Sequence, residues 1–186
     1  MKSFAFISCL LFLWNISFAQ SKNQIAERNI KSITQRIVDE RKEDKTVKST
    51  FARYDKHGNA VELIEYNEDS TIAKWEKHTF NKNDDETFYQ ELDKKGKQRK
   101  KVVSIFDAFG NKTEELSYNA EDSLIEKSVF VYNNFNDKIS EIVYDKEGKL
   151  KTKAVYEYES KGMIRSKIIY NAENKIIYTR TYKYEY

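Results

Sequence analysis

The sequence predicts an all-β chain: a single antiparallel up-and-down meander of 11 to 12 strands, built from a 26-residue repeat and curled into an open sheet, with a closed barrel as the alternative. Three observations predict it. Aromatic or leucine residues ending apolar-rich runs recur at Tyr54, Tyr66, Phe80, Leu92, Phe106, Tyr118, Tyr132, Tyr144, Tyr158, Tyr170 and Tyr184, at spacings that alternate strictly between 12 and 14 residues. Four positions after each of the first ten stands Gly, Asn, Asp or Ser, and all five glycines of the 186-residue chain fall on that position. The connections are therefore too short for helical crossovers, which need a dozen or more residues, so neighbouring strands run antiparallel.

The elements follow in order. Met1-Lys2, the apolar run from Phe4 to Trp14 and the small residues Ser17 and Ala19 before Gln20 read as a cleaved signal peptide over residues 1–19. The run is too short for a bilayer core, which takes roughly 20 residues. Cys9 lies inside the run instead of ending it, which argues against lipidation. The mature chain is then free of cysteine, carries a charge of about +2, and is expected in the periplasm or the medium, with no later stretch able to span a membrane. Residues 20–45 form a leader with one possible first strand at 29–38. There Ile30, Ile33 and Ile37 also fit helical spacing, so strand and helix both stand open.

Residues 46–186 form the repeat domain. In each turn an acid or amide after the anchor, as at Asp55 or Asn81, can bind the turn's own amides, and the fourth position tolerates positive φ. A three-residue loop places Tyr54 opposite Ala60 and Tyr66 opposite Ile72. The strands run 46–54, 60–66, 72–80, 86–92, 98–106, 112–118, 124–132, 138–144, 150–158, 164–170 and 176–184, alternating nine and seven residues, which staggers the register by two residues per repeat. Continued regularly, this register sets His78 opposite Phe88. It also predicts a buried apolar rim where Tyr66, Leu92, Tyr118, Tyr144 and Tyr170 face Ile72, Gln98, Leu124, Leu150 and Ile176, and a wetter rim at Tyr54, Phe80, Phe106, Tyr132 and Tyr158.

The runs Tyr54-Asp55-Lys56-His57-Gly58-Asn59, Phe106-Asp107-Ala108-Phe109-Gly110-Asn111 and Tyr144-Asp145-Lys146-Glu147-Gly148-Lys149 resemble the core of YD repeats, found in RHS-repeat proteins and in small secreted proteins. The resemblance covers residues 46–186 and implies an antiparallel sheet that coils. In the large members of that group it implies a shell around a toxin, a cargo this chain is too short to enclose.

The composition narrows function by exclusion. With only His57 and His78 and no mature cysteine, Cys-His catalysis and most zinc sites have no residues to use. No Gly-x-Ser-x-Gly turn, phosphate-cradling glycine loop or calcium loop is present, and balanced charges argue against nucleic acid. The expectation is a non-enzymatic monomer without cofactor or metal. It binds a protein partner through a rim or edge strand, or serves a structural role in the envelope. The alternative is a carbohydrate-binding module using Phe130, Tyr132, Tyr156, Tyr158, Tyr182 and Tyr184, which cluster on one face of the last strands and offer apolar area with polar tips. A hydrolase with an unrecognised site is the third possibility.

Overall fold

The computed structural model describes residues 20–39, 46–160 and 162–185; the signal-peptide expectation over 1–19 and most of the turn expected at 39–44 lie outside them. A short helix precedes one sheet. Helix α1 spans Lys22–Glu27, and the strands are β1 (Ser32–Asp39), β2 (Thr46–Tyr54), β3 (Ala60–Tyr66), β4 (Ile72–Phe80), β5 (Glu86–Leu92) and β6 (Gln98–Phe106). They continue as β7 (Lys112–Tyr118), β8 (Leu124–Tyr132), β9 (Lys138–Asp145), β10 (Leu150–Tyr158), β11 (Ile164–Asn171) and β12 (Ile176–Thr181). Every strand is antiparallel to its neighbour and the sheet order is the chain order, so the meander is open, with β1 and β12 as its edges and no closure into a barrel.

The turns explain this regularity. In the first, the Asp55 amide donates to the Asn59 carbonyl (3.0 Å) and the Gly58 amide to the Asp55 carbonyl (3.2 Å), and the same two bonds recur in all ten hairpins. The fourth residue after every anchor has positive φ, from 59° at Asn174 to 84° at Gly110. The side chain after the anchor holds the loop from inside. Asp107 Oδ1 accepts from the amides of Phe109 and Asn111, and Asn133 Oδ1 does the same for Phe135 and Asp137.

The structure revises the register in one respect. Each of the ten hairpins from β2 onward keeps its first predicted pair, such as Tyr54 with Ala60, and then shifts by one residue, so that Arg53 faces Glu62 and Val61 is bulged, whereas β1 and β2 pair without a shift. The same shift stands in the other nine hairpins. His78 therefore faces Tyr89, not Phe88. A bulge adds right-handed twist. Across two strands Phe51 passes through Ile64 to Trp75, a step of 24 residues against a repeat of 26, which gives the predicted two-residue stagger.

Smaller corrections concern the ends. Residues 29–38 resolve as strand from Ser32 onward, because Ile33 pairs beside Ala52 on the face that α1 covers. The last strand stops at Thr181, three residues early, while β9 and β11 each gain one. The apolar rim is not uniformly buried: Leu92 is 6% exposed but Leu150 is 37% and Ile176 59% exposed, since the sheet has no cover toward β12.

Helix α1 lies in the leader, and its signature is present in the sequence. Ser21 caps it, its Oγ accepting from the Gln24 amide while Gln24 Oε1 accepts from the Ser21 amide, a Ser-x-x-Gln capping box. Asn29, at φ 53°, ends it. Ile25 (3% exposed) then buries against Ala52 (0%) and Tyr54 (7%), with Ile30, Ile33, Ala60 and Leu63 around them. This is the one compact apolar cluster among the described residues. Elsewhere most strand residues are half-buried, as a single-layer sheet requires.

Candidate interaction surface

Residues two apart on a strand share a face, so the 26-residue repeat stacks equivalent side chains into rows. One row is Tyr54, Phe80, Phe106, Tyr132, Tyr158 and Tyr184, which end the long runs. Three of its tyrosines reach back 20 residues: Tyr132 OH donates to the Lys112 carbonyl (2.9 Å), Tyr158 OH to the Lys138 carbonyl (2.8 Å) and Tyr184 OH to the Ile164 carbonyl (2.9 Å). Each ring thus stitches its strand to the start of the one before. The rim expected to be wetter is in fact covered: Tyr54 is buried, and Phe80, Phe106, Tyr132 and Tyr158 are half-buried.

The second row, two residues upstream, includes His78, Phe130, Tyr156 and Tyr182. The Lys138 ammonium lies over both Phe130 (5.1 Å to the ring centre) and Tyr156 (4.9 Å), and Lys167 lies over Tyr156 at 5.3 Å. Lys138 Nζ and Tyr156 OH both donate to Glu141 Oε2, at 2.9 and 3.0 Å. Burial raises the Tyr156 hydroxyl above its ordinary value, and the Glu141 charge adds to it. Against its own burial, the Lys138 ammonium, helped by Tyr156, holds the Glu141 carboxyl below the usual range.

The structure thus gathers Phe130, Tyr132, Tyr156 and Tyr158 around Lys138 and Glu141, while Tyr182 stacks on Tyr184 at 6.5 Å and 11°. A sugar stacking on Phe130 or Tyr156 would have to displace lysine ammonium groups already over those rings. Tyr182, at 40% exposure, is the most open of the six.

The histidines sit in polar contacts of their own. His78 Nδ1 bonds Glu86, with its ring edge-on to Tyr89 at 5.4 Å, while His57 lies in the first turn 3.9 Å from Asp84. Glu76, 7% exposed, accepts from Tyr89 OH (2.7 Å) and lies 2.9 Å from Lys74 Nζ. Among the described residues no group of three His, Cys, Asp or Glu side chains is arranged to hold a metal ion. A shallow concavity of about 230 Å³ lies over Lys48, Thr50, Glu65, Tyr66 and Glu68, away from both histidines.

The turns carry a second set of contacts that register arithmetic did not anticipate. Asn59 Nδ2 donates to Asp84 Oδ1 (2.8 Å) and Asn111 Nδ2 to Asn136 Oδ1 (3.0 Å), joining turns of adjacent repeats. The alternation of acid and amide at the first and fifth turn positions (Asp55 with Asn59, Asn81 with Asp85, Asp107 with Asn111, Asn133 with Asp137) signals only the bonds within each turn, between those two side chains. Also unforeseen are Phe109 and Phe135, at 82% and 86% exposure the most open large apolar side chains among the described residues.

The turn acids make stability depend on pH. The Asn111 amide holds the Asp107 carboxyl below its ordinary value, and the Lys97 and Lys95 amides do so for Asp93. A carboxyl whose pKa is lower in the folded chain stabilises fully above its unfolded value, near 3.9, and loses that contribution as pH falls through the folded value. The melting temperature is expected to hold between about pH 5 and 7 and to drop below about pH 4. Asp93→Asn with Asp107→Asn, which installs the residue used at Asn81 and Asn133, is expected to flatten that drop. Circular dichroism melts across pH check it, and an unchanged drop counts against the assignment.

No protein-family model matches this chain, and neither does any curated protein. Among solved structures, TcdB2-TccC3-TEV is similar over 83% of this chain and 8% of its own, at 14% identity and a TM-score of 0.56. A porin-like protein from Bacteroides uniformis ATCC 8492 gives a TM-score of 0.39 at 12% identity, over 75% of this chain and 54% of its own. The Photorhabdus luminescens Tc holotoxin pore gives 0.29 at 7% identity, over 81% of this chain and 11% of its own. The first likeness shows the fold alone; the other two are too weak to carry an argument. This chain spans 8% of the length of the first neighbour's chain.

Proposed function

We propose that this chain is an exported, non-catalytic β-repeat module that binds a protein partner and serves a structural role in the cell envelope. The open edge of β12 carries the reading. All six of its residues are exposed, and Ile176, Ile177 and Tyr178 stand 59%, 45% and 40% open on a strand with no further strand beyond it among the described residues. An open edge of this kind offers unpaired amides and carbonyls to a partner's strand. The YD-like turns and the fold shared with a far larger chain, TcdB2-TccC3-TEV, support a scaffold role. The aromatic cluster supports it too, since its hydroxyls and ring faces serve neighbouring strands.

The test places a photo-cross-linking amino acid at Thr179 of the full chain, in cells that export it. The expected result is a discrete adduct with one other protein, and a mature chain beginning at Gln20 in the envelope or medium. Absence of any adduct, with specific glycan-array binding lost on Tyr156→Ala with Tyr158→Ala, would overturn it in favour of a sugar-binding role.

A further inference from the structure

The repeat supplies its own control for one surface feature. The third residue of each turn is polar or charged in eight of the ten turns, as at His57, Asn83, Glu121 and Glu173. The two exceptions are Phe109 and Phe135, in consecutive turns of the same rim. Nothing in the fold requires them: the turn closes equally well around His57 or Asn83, with the same pair of backbone bonds. Both rings are more than four-fifths exposed. A single exposed apolar side chain is ordinary, but two in consecutive turns of one rim make a paired apolar surface of the kind that marks an interaction site.

Their presentation is rigid. The Phe109 amide donates to Asp107 Oδ1 and the Phe135 amide to Asn133 Oδ1, each at 2.9 Å. The two turns are then tied by the 3.0 Å bond from Asn111 Nδ2 to Asn136 Oδ1. Turns separated by two strands stand about 10 Å apart. Little backbone entropy remains to be lost when such a pair is bound.

We propose that Phe109 and Phe135 form a two-pronged anchor for a partner protein bearing two apolar pockets about 10 Å apart, edged by basic groups. This rests on the protein-binding reading above and names the surface and the partner's chemistry. Charge selects the occupant. The two turns carry Asp107 and Asp137 and no Lys or Arg, and the nearest lysines, Lys112 and Lys138, bond Glu115 (2.8 Å) and Glu141 (2.9 Å). A lipid surface is held by shallow apolar anchors together with cations, which these turns lack. A second copy is a poor fit as well, because the concavity near Tyr66 is lined by Lys48, Glu65 and Glu68.

The experiment puts the photo-cross-linking amino acid p-benzoylphenylalanine at 109, 135, 83 and 179 of the full chain in exporting cells. Expected is one discrete protein adduct from 109 and from 135 and none from 83. The adduct from 109 should fall at least tenfold when Phe135→Ser is added, with the melting temperature unchanged. Any of four results overturns the proposal: no adduct at 109 and 135, an adduct of two copies of the chain, equal yield at 83, or persistence after Phe135→Ser. Phe-dependent pelleting with phosphatidylcholine–phosphatidylglycerol vesicles without a protein adduct overturns it in favour of lipid. An adduct from 179 alone sinks this anchor and leaves the edge-strand module standing; silence at all four positions sinks both.

Discussion

Gly58→Ala is expected to destabilise the N-terminal end of the sheet by about 2.5 to 5 kcal/mol and to release helix α1. Two costs add. At φ +79° an alanine Cβ strains the backbone, at about 1 to 2 kcal/mol. The same Cβ would overlap the Lys22 carbonyl oxygen and stand 3.3 Å from the Ala26 amide nitrogen, so α1 must move, exposing Ile25, whose full burial is worth about 1.5 to 3 kcal/mol. Gly110 separates the two terms. It has φ +84° and nothing within 4 Å of the position a Cβ would take, so Gly110→Ala is expected to cost only the backbone term, about 1 to 2 kcal/mol. Urea unfolding of both variants, with hydrogen exchange at the α1 amides, measures the difference. Equal losses, or α1 amides still protected in Gly58→Ala, would show that the helix does not rest on this turn.

Tyr158→Ala is expected to cost about 2 to 4 kcal/mol and Tyr158→Phe only about 1 kcal/mol. The ring packs half-buried in the aromatic row and its hydroxyl donates to the Lys138 carbonyl, so alanine loses both while phenylalanine loses one hydrogen bond. The repeat already uses the lesser state, since Phe80 and Phe106 occupy the equivalent places without a hydroxyl. Thermal and urea melts of the two variants check the ratio. A Tyr158→Ala variant as stable as the parent would mean that the row is not a structural ladder and would return Tyr158 to the list of residues kept for a ligand.

The sequence was most legible where one residue had one physical job. Ten turns lie where Gly, Asn, Asp or Ser met the demand for positive φ, and eight of the eleven strands predicted from residue 46 onward match residue for residue. It was less legible where spacing alone had to stand for geometry. A strand of even alternation says which residues share a face but not where a ladder slips, so the recurring bulges moved His78 from Phe88 to Tyr89. Of the six aromatics that the spacing places on one face, Phe130, Tyr132, Tyr156 and Tyr158 surround Lys138, while Tyr182 stacks on Tyr184. That Lys138 lies over two of the four rings around it, and that backbone carbonyls take two of their hydroxyls, depends on side-chain reach across strands, which periodicity does not encode.

By itself the sequence determined the meander, its 26-residue period, the hairpin positions and the two-residue stagger, because each follows from local backbone preference repeated along the chain. Tertiary structure alone decided that α1 seals the first turn, that asparagine side chains lock turns 25 residues apart, and that Phe109 and Phe135 stand bare beside one another. These facts turn on distances between residues far apart in sequence. They are set by how staggered strands stack, and no single repeat contains them.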